Sequence, residues 1–404
     1  MGHAPQFHRR PVGRSAIAAP IIQGWCPGAL RPMQSGDGLV VRVRPHGGRL
    51  TQAQAAGIAT LAAQYGNGLI DLSARANVQL RGVRADTHAP LIAGLADLGL
   101  IDPSLEAETR RNVIVTPYWQ HDDGTAAVTA QLIEALREDD DLALPGKFGF
   151  AIDTGLHPVL RNISADIRCE RDGAGRLLCR ADGATHGALI APEDVASTAL
   201  ALTRWFLDSG GVKNGRGRMA AHLAAGAQLP AIFAAYPAQI LPSAPIPRPG
   251  RVAGGFMVGL AFGQMEAPTM AALADLATLR ITPWRMVLLE GVEHAPDLPG
   301  LIVEADDPLL RVIACPGAPA CLQALQPTRP IATALAPYLP ADALLHVSGC
   351  AKGCAHPQAA PLTLVAGADG FDLIRAGPAD GGPALCHLTY DQLRSHPDLL
   401  TEYC

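Results

Sequence analysis

Short apolar runs open two stretches of this chain that resemble one another. Leu39 to Val43, in GLVVRV, and Phe256 to Leu260, in GFMVGL, carry the alternation of a strand. Each run passes into an Ala/Leu-rich stretch of helical character, residues 51–64 and 268–279, and Thr51 stands where the first helix needs an N-cap. Each then closes on a strand ending in Gly-Val, QLRGV in one case and LLEGV in the other. Residues 38–83 and 255–292 therefore read as two copies of one strand–helix–strand unit. Such a unit cannot bury its own sheet, so the copies are expected to pair about a pseudo-two-fold axis.

A long mixed segment, residues 90–236, separates the copies. Within it RNVIV (111–115) and KFGFAID (147–153) read as strands, and residues 193–210 and 218–227 read as helices. The Pro-rich stretch LPSAPIPRPG, 241–250, marks the midpoint, and a cysteine-bearing region, 300–404, follows the second copy. The plan is A–B–A′–B′.

Composition narrows what this plan can do. At 404 residues, 49 % hydrophobic and 17 % charged, the chain can bury a large core. The net charge is -5 with no run of Lys or Arg, so the electrostatic footprint of a nucleic-acid binder is missing. No apolar stretch approaches the roughly 20 residues of a membrane span. The opening MGHAPQFHRRPVGRSAIAAP has arginines but no apolar core, so residues 1–20 read as a flexible lead rather than a secretory signal. The expectation is a cytoplasmic, reduced protein, in which clustered cysteines favour metal over disulfide. No GxGxxG fingerprint is present, and GDG at 36–38 is only a turn.

Four cysteines then carry the chemistry. Cys315 and Cys321 lie in ACPGAPAC with five residues between them, and Cys350 and Cys354 lie in SGCAKGCAHP with three. Four thiolates on two short loops can hold a tetrahedral zinc or an iron–sulfur cluster. The five-residue gap is wider than the two to four of most zinc knuckles. The turn-formers Pro316, Gly317, Pro319, Gly349 and Gly353 let backbone N–H groups point at sulfur, and this favours the cluster while leaving zinc open. Cys26, Cys169, Cys179, Cys386 and Cys404 are scattered and read as small buried hydrophobes or incidental thiols. Cys26, in GWCPGALRPM, is also placed to line a pocket.

C-x5-C followed by GC-x-x-GC-A-x-P resembles the cluster signature of the sulfite and nitrite reductases, which set a [4Fe–4S] cluster against a sirohaem. The likeness spans about residues 20–365. It implies an α+β, nitrite/sulfite reductase-like fold with two ferredoxin-like half-domains, each followed by an α/β cluster- or tetrapyrrole-binding domain. The corresponding boundaries are a half-domain at 21–88, a tetrapyrrole-binding domain at 89–240, a linker at 241–250, a half-domain at 251–297 and a [4Fe–4S] domain at 298–404. SARANVQLRG (73–82) resembles the family's first arginine motif, RNV (111–113) its second, and LPGKF (144–148) its lysine motif. The resemblance thereby implies substrate-binding roles for Arg75, Gln79, Arg81, Arg111 and Lys147, catalytic roles for Arg75, Arg111 and Lys147, and metal ligation by Cys315, Cys321, Cys350 and Cys354. The chemistry is apt, because a tetrapyrrole with acetate and propionate arms is a polyanion and Arg grips carboxylates bidentately.

Two departures bear on the substrate. Where sulfite reductases carry a second basic residue, two positions after the lysine, this chain has Gly149, and Ala76 replaces the Gln that follows the first arginine. Reducing a small oxyanion needs a dense cationic pocket, so part of that equipment is gone. GWCPGALRPM and SGCAKGCAHP look like the precorrin-3B synthase branch of the same superfamily. That resemblance implies a monooxygenase of aerobic cobalamin biosynthesis, oxidising precorrin-3A with O2 and NADH-derived electrons to the hydroxy-lactone precorrin-3B. It also implies a mononuclear non-haem iron besides the cluster. The sequence singles out His46, His121, Asp122, Asp123, His157, His222 and His356 as groups to consider for that iron and assigns none of them. NADH has no motif here, so electrons are expected from a separate reductase or ferredoxin. A sirohaem-dependent sulfite or nitrite reductase is the alternative, and a non-enzymatic cluster protein is a third reading.

Overall fold

The computed structural model describes residues 27–239 and 244–403. The expected lead at 1–20, Cys26, Cys404 and the start of the linker lie outside them. The described chain falls into two compact units, one of residues 27–33 and 39–303, the other of residues 34–38 and 304–403.

In the larger unit the two repeat copies form two sheets that exchange a strand. In one sheet Gly38–Val43, Val78–Val83 and Leu69–Leu72 lie side by side, and the next strand, Gln264–Glu266, comes from the other copy. In the other, Gly255–Leu260, Met286–Glu290 and Leu279–Ile281 are followed by Arg49–Leu50 from the first copy. Each copy thus supplies the edge strand its partner lacks, which closes an otherwise open row of backbone donors and acceptors. The helices Gln52–Tyr65 and Ala267–Leu276 pack together, and one continuous core, including Ile58, Leu80, Met270 and Leu289, joins the copies. Thr51 caps the first helix as expected: its hydroxyl accepts from Gln54 N at 3.2 Å, and the Gln54 side chain accepts from Thr51 N at 3.0 Å. The two copies also share a backbone detail, since Gly47 and Phe262 both take left-handed φ, 60° and 56°, in the turn that follows the first strand.

The middle segment builds a mixed sheet. Val113–Val115, Phe150–Asp153 and Ile167–Arg171 run parallel, and Leu177–Ala181 and His186–Leu189 continue antiparallel. The helices Thr125–Glu138 and Val195–Asp208 pack over its apolar face on Phe148, Phe150 and Phe206. The smaller unit repeats this order: Val312–Ala314, Leu345–Ser348 and Ala360–Ala366 are parallel, and Gly370–Gly377 and Cys386–Thr389 are antiparallel. The A–B–A′–B′ alternation expected from periodicity is therefore present in the topology of both kinds of sheet.

Candidate active site

The parallel pairing of Val312–Ala314 with Leu345–Ser348 places the residues after each strand, Cys315 and Gly349-Cys350, at the same end of the sheet. Carboxyl ends of parallel strands are where such sheets present ligands. The two loops are tied together. Gly349 N donates to Cys315 Sγ at 3.1 Å, Leu325 N donates to Gly349 O at 2.9 Å, and Thr328 Oγ1 donates to Cys315 O at 2.5 Å. Gly349 admits no side chain, because a Cβ there would lie 2.7 Å from Ala324 Cβ and 3.4 Å from Cys315 Sγ.

All four thiols are free, and they interact with one another. Cys315 and Cys350 are buried, Cys321 is partly buried and Cys354 is exposed as a residue. The Cys354 thiol nevertheless sits desolvated against its neighbours and donates to Cys315. That bond, helped by the N–H groups of Gly349 and Gly317, pulls the Cys315 thiol down to about 6 and raises Cys354. One proton is effectively shared by the pair. Cys350 is raised chiefly by burial, opposed by the backbone N–H of Lys352. N–H groups aimed at sulfur favour thiolate and tune the potential of any metal group held there. Among the described residues no group of three or more His, Cys, Asp or Glu is set to hold a metal ion. A single zinc needs sulfurs closing on one point at about 2.3 Å, whereas a cubane cluster binds each thiolate to a different iron and keeps the sulfurs further apart. Four thiols on two facing loops are donors of the kind that either group takes.

The larger unit holds the basic residues. Arg75 is half-buried, and its Nη2 donates to Lys147 O at 3.0 Å and to Ser164 Oγ at 3.4 Å. Lys147 is exposed and its ammonium has no partner among the described residues. The same Ser164 Oγ accepts from Arg218 Nη2 at 2.9 Å. Arg75 and Arg218 therefore meet on one neutral hydroxyl, and Arg75 also holds the backbone of the turn that carries Lys147. The segment before Arg218 is a two-residue hairpin, in which Lys213 N donates to Arg216 O at 2.7 Å and Arg216 N to Lys213 O at 3.0 Å around left-handed Asn214 and Gly215. Lys213 and Arg216 are exposed on it. The signal was in KNGRGRM, where Asn-Gly is a hairpin turn signature. The cations there alternate with small residues and so do not register as a charge run.

The remaining expected residues are differently disposed. Gln79 Oε1 accepts from Arg42 Nη2 at 2.7 Å on the neighbouring strand. Arg81 is buried in an ion pair with Asp71, Nη1 to Oδ2 at 3.2 Å, and Gln264 Nε2 donates to the other Asp71 oxygen at 2.9 Å. Arg111 is buried with both arms of its fork on Asp102, at 2.6 and 2.8 Å, and its Nη1 on Arg44 O at 2.9 Å. Arg75 and Lys147 thus share a site, whereas Arg81 and Arg111 are committed to buried carboxylates. A substrate carboxylate could engage them only by displacing Asp71 or Asp102.

The histidines and aspartates considered for a mononuclear iron do not assemble. His121 and Asp122 are exposed, and His121 lies edge-on to Trp119. Asp123 accepts from Gln120 N at 2.7 Å and Thr125 N at 2.8 Å and so belongs to the turn that starts a helix. His222 contacts Ser209 Oγ at 2.8 Å and packs on Trp205, and His356 packs edge-on to His346. The expectation of a non-haem iron thus gains no ligand set among the described residues.

Residues 31–98 match the nitrite/sulfite reductase ferredoxin-like half domain. This stretch spans the first repeat copy. Beyond it, the chain is 29 % identical over 411 residues, 92 % of itself and 87 % of the relative, to a precorrin-3B synthase from Sinorhizobium sp. It is 26 % identical over 400 residues, covering 83 % of itself and 77 % of the relative, to a ferredoxin–nitrite reductase from Synechococcus elongatus. Among solved structures it superposes on the NirA protein of Mycobacterium tuberculosis with a TM-score of 0.62 at 19 % identity, covering 90 % of this chain and 80 % of that one. The α+β, nitrite/sulfite reductase-like fold follows from the half-domain match and this superposition. No helix among the described residues is long and apolar enough to cross a membrane.

Proposed function

We propose that this chain is an oxidoreductase of the precorrin-3B synthase type, acting on a tetrapyrrole held through its carboxylates. The observation that carries the reading is the meeting of Arg75 and Arg218 on Ser164, with the exposed Lys147 on the turn whose carbonyl Arg75 holds, taken with the packing at Gly149 beside it. A Cβ on Gly149 would lie 2.6 Å from Asn112 Nδ2 and 3.0 Å from Asn112 O, so the second basic side chain of a sulfite reductase has no room there. The site keeps cations suited to spaced carboxylates and is closed to the residue that would concentrate charge on a small oxyanion. The similarity to a precorrin-3B synthase over most of both chains supports the same substrate class.

In this reading Cys315, Cys321, Cys350 and Cys354 hold a [4Fe–4S] cluster, which supplies electrons singly when bound. Arg75, Lys147 and Arg218 fix the substrate by its acid arms and hold the reacting carbon in one orientation. The overall reaction is precorrin-3A + O2 + NADH + H+ → precorrin-3B + H2O + NAD+: one oxygen atom enters the substrate and the other leaves as water. The NADH electrons arrive through a separate reductase or ferredoxin. The test is anaerobic purification, addition of precorrin-3A, reductant and 18O2, and mass spectrometry of the product. One 18O in a lactone is expected, and an unlabelled product or none would sink the reading. A second reading, a sirohaem-dependent reductase, draws on the similarity to the ferredoxin–nitrite reductase. Extraction of tightly bound sirohaem from the purified protein would favour it.

A further inference from the structure

Asp166 is completely buried, two residues beyond Ser164, and its oxygens hold three other parts of the larger unit together. Oδ2 accepts from Gly149 N at 3.0 Å, next to the Lys147 turn. Oδ1 accepts from Met219 N at 2.8 Å and from Arg218 Nε at 2.9 Å, where the hairpin segment enters a short helix. Arg218 is gripped at the root of its fork by this carboxylate, and its Nη2 lies on Ser164 Oγ and on Ala165 O at 3.1 Å. No group among the described residues takes Arg218 Nη1, and about a third of the side chain is exposed (35 %). Ser164 Oγ bridges this guanidinium to that of Arg75. The hydroxyl adds no counter-charge of its own between the two guanidiniums.

We propose that Asp166 is a positioning residue that locks Arg218 beside Arg75 and the Lys147 turn, so that the two guanidiniums belong to one carboxylate-binding subsite. A guanidinium held at Nε and Nη2 cannot swing away, and its Nη1 is left pre-oriented to donate to a ligand carboxylate. The subsite thereby depends on a residue that never touches the ligand. The proposal rests on the polycarboxylate reading of the site given above.

A double-mutant cycle tests it. Uroporphyrin III, with eight carboxylates, and citrate serve as probes in fluorescence or calorimetric titrations of wild type, Asp166→Asn, Arg218→Ala and the double variant, with thermal melts run alongside. Each single change is expected to weaken uroporphyrin binding about tenfold, the worth of a charge-assisted bond. The double variant should bind no worse than Arg218→Ala alone, because Asp166 acts through Arg218. Losses that multiply, or unchanged affinity in a folded Asp166→Asn protein, overturn the proposal. Should Asp166→Asn fail to fold, Asp166→Glu, which keeps the charge but displaces it from Arg218 Nε, carries the test in the same cycle with Arg218→Ala on the same criteria. If uroporphyrin binds and the losses multiply, the positioning role falls and the tetrapyrrole reading stands. If citrate binds with the coupled pattern and uroporphyrin does not, the tetrapyrrole reading falls and the positioning role stands. Binding of neither probe by wild type sinks both.

Discussion

Gly149 offers the sharpest test of the packing argument, through its smallest possible change, Gly149→Ala. The position is buried, and its backbone is committed on both sides: N–H to Asp166 Oδ2 at 3.0 Å, and C=O to Asp166 N at 2.7 Å and Ile167 N at 3.2 Å. The new Cβ would meet Asn112 Nδ2 at 2.6 Å and Asn112 O at 3.0 Å. The second contact is with backbone in a parallel sheet and has little freedom to yield. The first can yield only if the Asn112 amide swings off Phe148 O, to which it donates at 2.7 Å. Overpacking a tight interior costs roughly 1–3 kcal/mol. Leaving a buried acceptor such as Phe148 O unpaired costs about 1–3 kcal/mol more. A loss of about 3 kcal/mol is the central expectation, a fall in melting temperature on the order of 5–10 °C. Urea titration and scanning calorimetry on the whole chain read it directly. A midpoint within about 1 °C of wild type would refute the argument, and with it the claim that a basic side chain is sterically barred from this position. Gly149→Lys should be worse still, and should not confer sulfite reduction.

Three further outcomes follow from the same structure. Ala76 has φ 53°, in the left-handed region that costs an L-residue roughly 1–2 kcal/mol. Ala76→Gly should therefore raise stability by up to about 1 kcal/mol after the entropy of glycine is counted, and a clear destabilisation in thermal melts would show that no strain is stored there. Asp153 is buried, with Oδ2 on Val159 N at 2.6 Å and Leu160 N at 2.7 Å, and desolvation lifts its carboxyl to about 6. The folded state thus holds a proton that the unfolded state releases near the ordinary 3.8, so this stabilisation is fully present below about pH 4. It is lost as pH rises through about 6, roughly 3 kcal/mol in all; Asp153→Asn should flatten that slope in urea titrations at pH 4–7, and an unaltered slope would assign it to another group. Cys315→Ser and Cys350→Ser should each abolish iron and acid-labile sulfide in the purified protein while Cys169→Ser, in the strand pair with Cys179 in the larger unit, leaves both unchanged. Full cluster content in Cys315→Ser would remove these thiols from the ligand set.

Much of the architecture was legible along the chain because it is written in local periodicity. The alternating runs at Leu39 and Phe256, the Thr51 cap and the two cysteine loops are short-range patterns, and the elements formed where the patterns lie. The four thiols could be grouped from spacing alone because each pair sits on one short loop after a strand. Spacing could not show that Cys315 is the thiol pulled low, since that depends on Cys354 and on the N–H of Gly349, from the other loop.

The basic residues show the limit. Arg75, Arg81 and Arg111 look alike in sequence, each an arginine in a short motif. Only folding separates them: Asp71 and Asp102 pair with two, and the third reaches Ser164 and the backbone of Lys147. Arg218 and Asp166, 52 residues apart, become partners only because the strand entering at Ile167 passes the segment between the Lys213–Arg216 hairpin and the helix that starts at Met219. The exchange of Arg49–Leu50 and Gln264–Glu266 between the repeat copies is likewise invisible to periodicity, which says that a strand forms but not which edge it completes. The sequence by itself determined the elements, the repeat and the chemical kinds of side chain available, because these depend on neighbours along the chain. Tertiary structure alone decided which charges are paired, which are free and which sites are sterically closed, because those depend on groups brought together from distant positions.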